Sequence, residues 1–231
     1  LKGNPRNAVQ MAEQTEEFIT ENSDQPFFLY FATSDPHRGG GIDRNSNLKL
    51  KPDMFGNKQD RKSHDGVNEV FYDPKEVPIP SFLPDTPETR EELAHYYQSV
   101  SRIDQGVERL VEILKENDLY DKTMIVFTSD HGMAFAGGKT TVYEGGLRVP
   151  FVVRNPYEKK RGVRNTAMIS HIDITPTLLD FAGALDHQNN RPMSWEDPKK
   201  SFPIPKTKAP KDNRGVTGKL SSYHGKSCLS V

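Results

Sequence analysis

At 231 residues the chain has room for one full domain or a large piece of a bigger one. Its 31 basic and 32 acidic residues leave a net charge of −1, which argues against nucleic acid as a main partner, because neutralising phosphates takes a basic face. No stretch is long and apolar enough to span a bilayer, and a single cysteine excludes an internal disulfide framework or a Cys-rich zinc site.

The chain opens at Leu1-Lys2-Gly3 and stops at Cys228-Leu229-Ser230-Val231. Both ends read as cuts, so part of any site is expected to be missing. Asn4-Pro5 supplies an N-cap and a first-turn proline, and Ala8, Met11, Ala12, Thr15, Phe18 and Ile19 then recur at helical spacing. The continuous apolar run Pro26 to Ala32 predicts a strand buried on both faces. It ends in the polar cluster Thr33-Ser34-Asp35-Pro36-His37-Arg38. Residues 39 to about 85 are rich in Gly, Asn, Asp, Lys and Pro and read as a long surface excursion, a kind of loop that is often functional.

Thr86-Pro87 opens the clearest helix, with acidic residues in its first turns and an apolar stripe from Leu93 through Tyr96, Val100, Ile103, Val107, Leu110 and Leu114. Thr123 to Thr128 predicts a second buried strand, ending in Ser129-Asp130-His131-Gly132. A glycine-rich loop leads to a third strand over Val149 to Val153. Thr175-Pro176 starts a further helix, which Gly183 stops. Residues 186 to 222 are polar and proline-rich, a long loop or a disordered segment. Residues 1–185 therefore read as one structured portion, and 186–231 as a polar loop with the start of another segment.

Alternating helices and buried strands predict an α/β sandwich with a mainly parallel central sheet flanked by helices. Ligands in such sheets bind beyond the C-terminal ends of the strands. Two strands end there in titratable clusters. Asp130-His131 can offer one oxygen and one nitrogen to a cation, although the dipeptide alone also fits a turn cap beside a crevice histidine. Gly137-Gly138-Lys139-Thr140 is not a nucleotide cradle, because Met133 stands where that loop needs glycine. Lys139 is either a loop lysine delivered to an anion or an exposed one. His37 suits a general acid, an anion ligand or a surface loop.

Taken together, Phe127-Thr128-Ser129-Asp130-His131-Gly132, Lys139, and Tyr143-Glu144-Gly145-Gly146-Leu147-Arg148-Val149-Pro150 resemble the type I sulfatases of the alkaline phosphatase superfamily. Asp35-Pro36-His37-Arg38 leans toward the heparan N-sulfatase-like branch. Ser101-Arg102-Ile103-Asp104 resembles the family's central helix, Ser170 to Asp180 a later helix, and His224-Gly225-Lys226-Ser227 a further segment. The resemblance implies an incomplete alkaline-phosphatase-like fold and a hydrolase of sulfuric esters or sulfamates on sulfated carbohydrate. It makes Asp130 and His131 ligands of one divalent cation, calcium in the family. Lys139 becomes a catalytic residue that binds the sulfate oxygens, and His37 a catalytic, substrate-contacting group able to donate a proton. Glu144 and Arg148 are expected to brace the loop as an ion pair, and His171 and Asp173 to organise a turn and cap a helix.

The family nucleophile is a formylglycine made from Cys or Ser in a C/S-x-P/A-x-R motif. Cys228, followed by Leu-Ser-Val, does not match, no Ser reads as standing in the motif, and no Asp-Asp pair exists to complete the metal site. Both are expected upstream, so the fragment is expected to be inactive alone. A periplasmic, extracellular or lysosomal location follows from the family only. A phosphoester or phosphonate hydrolase of the same superfamily, and a non-catalytic carbohydrate-binding remnant, are the competing readings.

Overall fold

Asparagine side chains organise the start of the chain. The computed structural model describes residues 3–39, 53–58, 61–186 and 191–192. Asn4 Oδ1 accepts from the Arg6 amide at 3.0 Å, and Asn7 caps α1 (Ala8–Glu13) by accepting from the Gln10 amide at 3.0 Å. The cap is thus Asn7 rather than Asn4, and Pro5 lies in the turn before it. The expected single helix is two helices. The Thr15 hydroxyl and amide both bond to the Ala12 carbonyl, at 2.7 and 2.9 Å, and α2 (Glu16–Glu21) begins beyond that tightened turn.

α3 (Pro87–Glu116) follows its sequence signals. Thr86 Oγ1 accepts from the Thr89 amide at 3.2 Å, with Pro87 in the first turn. Asp118, at φ +56°, turns the chain out of the helix, and the Leu119 amide returns to the Leu114 carbonyl at 2.8 Å. α1 packs directly on α3. A Cβ on Gly106 would lie 2.4 Å from Ala8 Cβ, so the two backbones meet at a glycine.

Two apolar clusters use different parts of α3. One joins Ala12 and Ile19 to Ile113, Leu114 and Leu119, with Phe27, Leu29 and Phe31 packed against it. The strand expected over residues 26–32 is not formed among the described residues, and the segment buries alternate side chains on one face only. Phe28 and Tyr30 point to solvent, and the segment pairs with no strand among the described residues. An unbroken apolar run does not say which neighbours cover its second face. The other cluster holds Met54, Phe55, Val77, Leu93, Ala94 and Phe135. The excursion before α3 is thus no mere surface loop. It carries no α-helix or strand among its described residues, yet it supplies half of this core.

β1 (Ile125–Thr128) pairs antiparallel with β2 (Phe151–Arg154), from Ile125 opposite Arg154 to Thr128 opposite Phe151. The chain returns from β1 through a loop that carries the short α4 (Glu144–Leu147) into its neighbour, a connection that gives antiparallel pairing. Among the described residues no parallel pair occurs. The α/β class stands, while the parallel pairing expected of the central sheet is not formed between these strands.

The described residues fall into two compact units that divide between Lys159 and Lys160. In that second unit the Ser170 amide donates to Asp173 Oδ2 at 2.7 Å across a 3-10 turn (His171–Asp173), which leads into α5 (Ile174–Phe181). Asp173 organises the turn as expected. Gly183, at φ +67°, ends α5, and a short ladder pairs β3 (Leu185–Asp186) with β4 (Arg191–Pro192). The expectations for residues 193–231 lie outside the described residues. No helix among the described residues is long and apolar enough to cross a membrane.

Candidate functional site

The loop after β1 is folded on itself by main-chain contacts. Gly132 donates its amide to the Gly146 carbonyl at 2.9 Å, and the Lys139 amide donates to the Met133 carbonyl at 2.8 Å. Thr141 Oγ1 donates to the Gly138 carbonyl at 2.7 Å. These bonds join the Asp130-His131 strand end, Lys139 and the Glu144–Leu147 turn (α4) into one piece. Phe135 anchors that piece. Its ring stacks on Phe55 at 5.9 Å and meets Tyr96 edge-on at 5.7 Å, inside the second core cluster. Thr140 sits at φ +69°, a conformation that disfavours β-branched residues. The chain thus holds an unfavourable backbone immediately after Lys139. Lys139 is half-buried, and no hydrogen bond or ion pair among the described residues engages its ammonium. The Glu144–Arg148 ion pair exists at 3.5 Å, but both side chains are 84% exposed. Solvent screens such a pair, so the bracing comes from the glycine contacts instead.

Asp130 and His131 do come together. Asp130 Oδ2 lies 3.5 Å from His131 Nε2, and the Asp130 side chain is 85% exposed. His131 Nδ1 lies 2.8 Å from the Gly132 carbonyl. That carbonyl can only accept, so the contact calls for a proton on Nδ1, and the other ring nitrogen, Nε2, is the atom turned toward the carboxylate. An oxygen and a nitrogen lone pair 3.5 Å apart can both reach one divalent cation. The pair fits as part of such a site. Calcium takes six to eight ligands, and no group of three His, Cys, Asp or Glu side chains suited to a metal occurs among the described residues.

His37 stands on a separate turn whose foundation is ionic. Asp35 is fully buried and accepts from Arg102 Nε at 2.7 Å and Arg6 Nη1 at 2.8 Å. Burial pushes its carboxyl above the ordinary aspartate range, and the Arg102 and Arg6 guanidinium groups pull against that. Arg102 is itself fully buried and also donates to Asn57 Oδ1 at 2.6 Å and the Phe55 carbonyl at 2.9 Å. The His37 amide closes the turn on the Ser34 carbonyl at 2.8 Å, while the residue remains exposed. Arg38 pairs with Glu92 at the start of α3. No hydrogen bond or ion pair among the described residues joins His37 or Lys139 to Asp130 or His131. The two loops share Phe55 instead. Its carbonyl takes the arginines that hold Asp35, and its ring carries Phe135 of the Lys139 loop.

Sequence reasoning missed Arg6 and Arg102. No local signal marked either: Arg6 precedes α1, and Arg102 lies outside the apolar stripe of α3, on a buried face with Gln98, Ser99 and Gly106. A second feature escaped it too. Read letter by letter, Ser34-Asp35-Pro36-His37-Arg38 satisfies the S-x-P-x-R form of the nucleophile motif, which corrects the expectation that the chain holds no match. Its second position is the buried Asp35.

The family model for sulfatases matches residues 4–184. The chain is 36% identical over 183 residues to human N-sulphoglucosamine sulphohydrolase, covering 76% of this chain and 35% of that protein. Among solved structures, a sulfatase-family protein of Bacteroides fragilis superposes with a TM-score of 0.50 at 26% identity, over 75% of this chain and 36% of its own. The phosphonate monoester hydrolase of Silicibacter pomeroyi gives a TM-score of 0.55 at 21% identity, over 78% and 39%, a likeness of fold alone. The chain spans about a third of the length of the relatives it matches.

Proposed function

This chain belongs to the sulfatase family, and on that premise we propose that it carries the sulfate-holding half of a hydrolase acting on sulfate esters or sulfamates of sulfated carbohydrate. The observation that carries the reading is the single self-tied loop that presents the Asp130–His131 pair at one end and, at the other, the Lys139 ammonium, unpaired among the described residues. Lys139 would bind the sulfate oxygens and offset the charge that grows on them in the transition state. His37, exposed on a fixed turn, would contact the leaving-group oxygen or nitrogen and give it a proton. Asp130 and His131 would hold a calcium ion, which is general in the family and would add positive charge at the sulfate. The remaining calcium ligands and the formylglycine nucleophile would come from residues outside these 231.

The similarity to N-sulphoglucosamine sulphohydrolase supports an N-sulfated glucosamine unit as the substrate class. It likewise supports a lysosomal, extracellular or periplasmic setting.

The test is calcium dependence in the full-length protein. Chelation should stop sulfate release, and added calcium should restore it. Asp130→Ala should weaken calcium binding measured by titration calorimetry by about tenfold or more. Sulfate release that survives both chelation and Asp130→Ala would remove the metal assignment.

A further inference from the structure

The Arg6 side chain lies between two glycines and reaches three oxygens. Nη1 donates to Asp35 Oδ1 at 2.8 Å and to the Phe55 carbonyl at 3.0 Å, and Nη2 donates to the His37 carbonyl at 3.0 Å. A Cβ on Gly39 would lie 2.4 Å from Arg6 Nη2, and one on Gly56 would lie 2.2 Å from Arg6 Cδ. Neither position has room for a side chain while Arg6 occupies the slot. Gly56 also has φ +72°, whereas Gly39 has no such backbone requirement. The slot is made by the sequence on both sides.

Arg6 and Arg102 divide the work. Arg102 is fully buried and bonds Asp35, Asn57 and the Phe55 carbonyl, none of which is His37. Arg6 alone of the two reaches the His37 main chain. The His37 amide is already tied to the Ser34 carbonyl. With Arg6 in place both main-chain polar groups of His37 are fixed, and only the imidazole is left to respond to a ligand. The packing of Ala8 against Gly106 brings Arg6, two residues before Ala8, to the same carboxylate as Arg102, one turn before Gly106.

We propose that Arg6 is a positioning residue, a guanidinium seated in a two-glycine slot that fixes the His37 backbone and thereby aims the imidazole at the substrate. The inference rests on the reading of His37 as a substrate-contacting group. Lysine cannot replace Arg6, because one ammonium lacks the planar fork that serves Asp35, Phe55 and His37 together.

Gly39→Ala isolates the link. Its methyl group would push Nη2 off the His37 carbonyl and leave Arg102 on Asp35. The experiment uses the full-length protein with an N-sulfated glucosamine glycoside as the probe. Four proteins are compared with the parent: His37→Ala, Gly39→Ala, Arg6→Lys and the double variant His37→Ala/Gly39→Ala. Melting temperature and the pH dependence of kcat are recorded for each. His37→Ala should lower kcat about 100-fold or more. Gly39→Ala and Arg6→Lys should each lower kcat roughly tenfold and displace the alkaline limb of the pH profile. In the His37→Ala background Gly39→Ala should cost nothing further, since its effect runs through the missing imidazole. Equal losses from Gly39→Ala with and without His37 would overturn the positioning role. So would full activity of Gly39→Ala in a protein that His37→Ala inactivates. Full activity of His37→Ala would instead overturn the reading of His37 itself, and this inference with it.

Discussion

A Cβ at residue 132 would sit 1.8 Å from the Gly145 carbonyl oxygen, so the turn that follows Asp130 and His131 accepts only glycine. Backbone oxygen cannot swing aside as a side chain can. Gly132→Ala should therefore destabilise the protein by about 2–3 kcal/mol, read as a lowered midpoint in chemical denaturation. A second prediction concerns Ser34. Its five-residue pattern matches the nucleophile motif formally, but the same residues form the Asp35-anchored turn beneath His37. On this account Ser34 stays an ordinary serine. Mass spectrometry of its tryptic peptide should find no loss of two hydrogens, and Ser34→Ala should leave sulfate release within about twofold, the change of a surface substitution. An oxidised Ser34 would move the nucleophile into this chain.

Among the elements, α3 ties the first unit together. It presents Leu93 and Ala94 to one core, Ile113 and Leu114 to the other, and Arg102 to Asp35 between them. Arg102→Ala would leave Asp35 buried with Arg6 as its remaining ion-pair partner, and would take the guanidinium from the buried Glu69 as well, so it should cost about 3–5 kcal/mol, measured as the drop in unfolding free energy. Much of α3 was legible in the sequence, because its cap, its proline and its apolar stripe are local signals. Arg102 was not, because its partner lies 67 residues away and helical periodicity carries no information about that distance. The run from Phe27 to Phe31 was legible as a core-packing segment, although it forms no strand among the described residues. Its one-sided burial was not, since hydrophobicity alone does not say what covers the second face. Phe55 sits in a segment with no helical or strand periodicity to mark it, yet it is fully buried and stands under both loops.

For the whole molecule, the candidate site was read as four residues from two strand ends, and the fold accounts for three of them through one loop. Asp130, His131 and Lys139 belong to a piece closed by main-chain bonds, while His37 belongs to an ionic turn. Phe55 is the joint between the pieces. The Asp130–His131 pair alone does not make a calcium sphere, which takes six to eight ligands. The motif blocks were readable because their chemistry is concentrated in short segments. The shared foundation was not, because it is assembled from residues 6, 35, 55, 102 and 135.

The most direct measurement is sulfate release by the full-length protein from an N-sulfated glucosamine glycoside with calcium present, compared between the parent and Lys139→Ala. If Lys139 is the sulfate ligand, the variant should keep its melting temperature and lose roughly 100- to 1,000-fold in kcat. Parent-like turnover in Lys139→Ala would contradict the account.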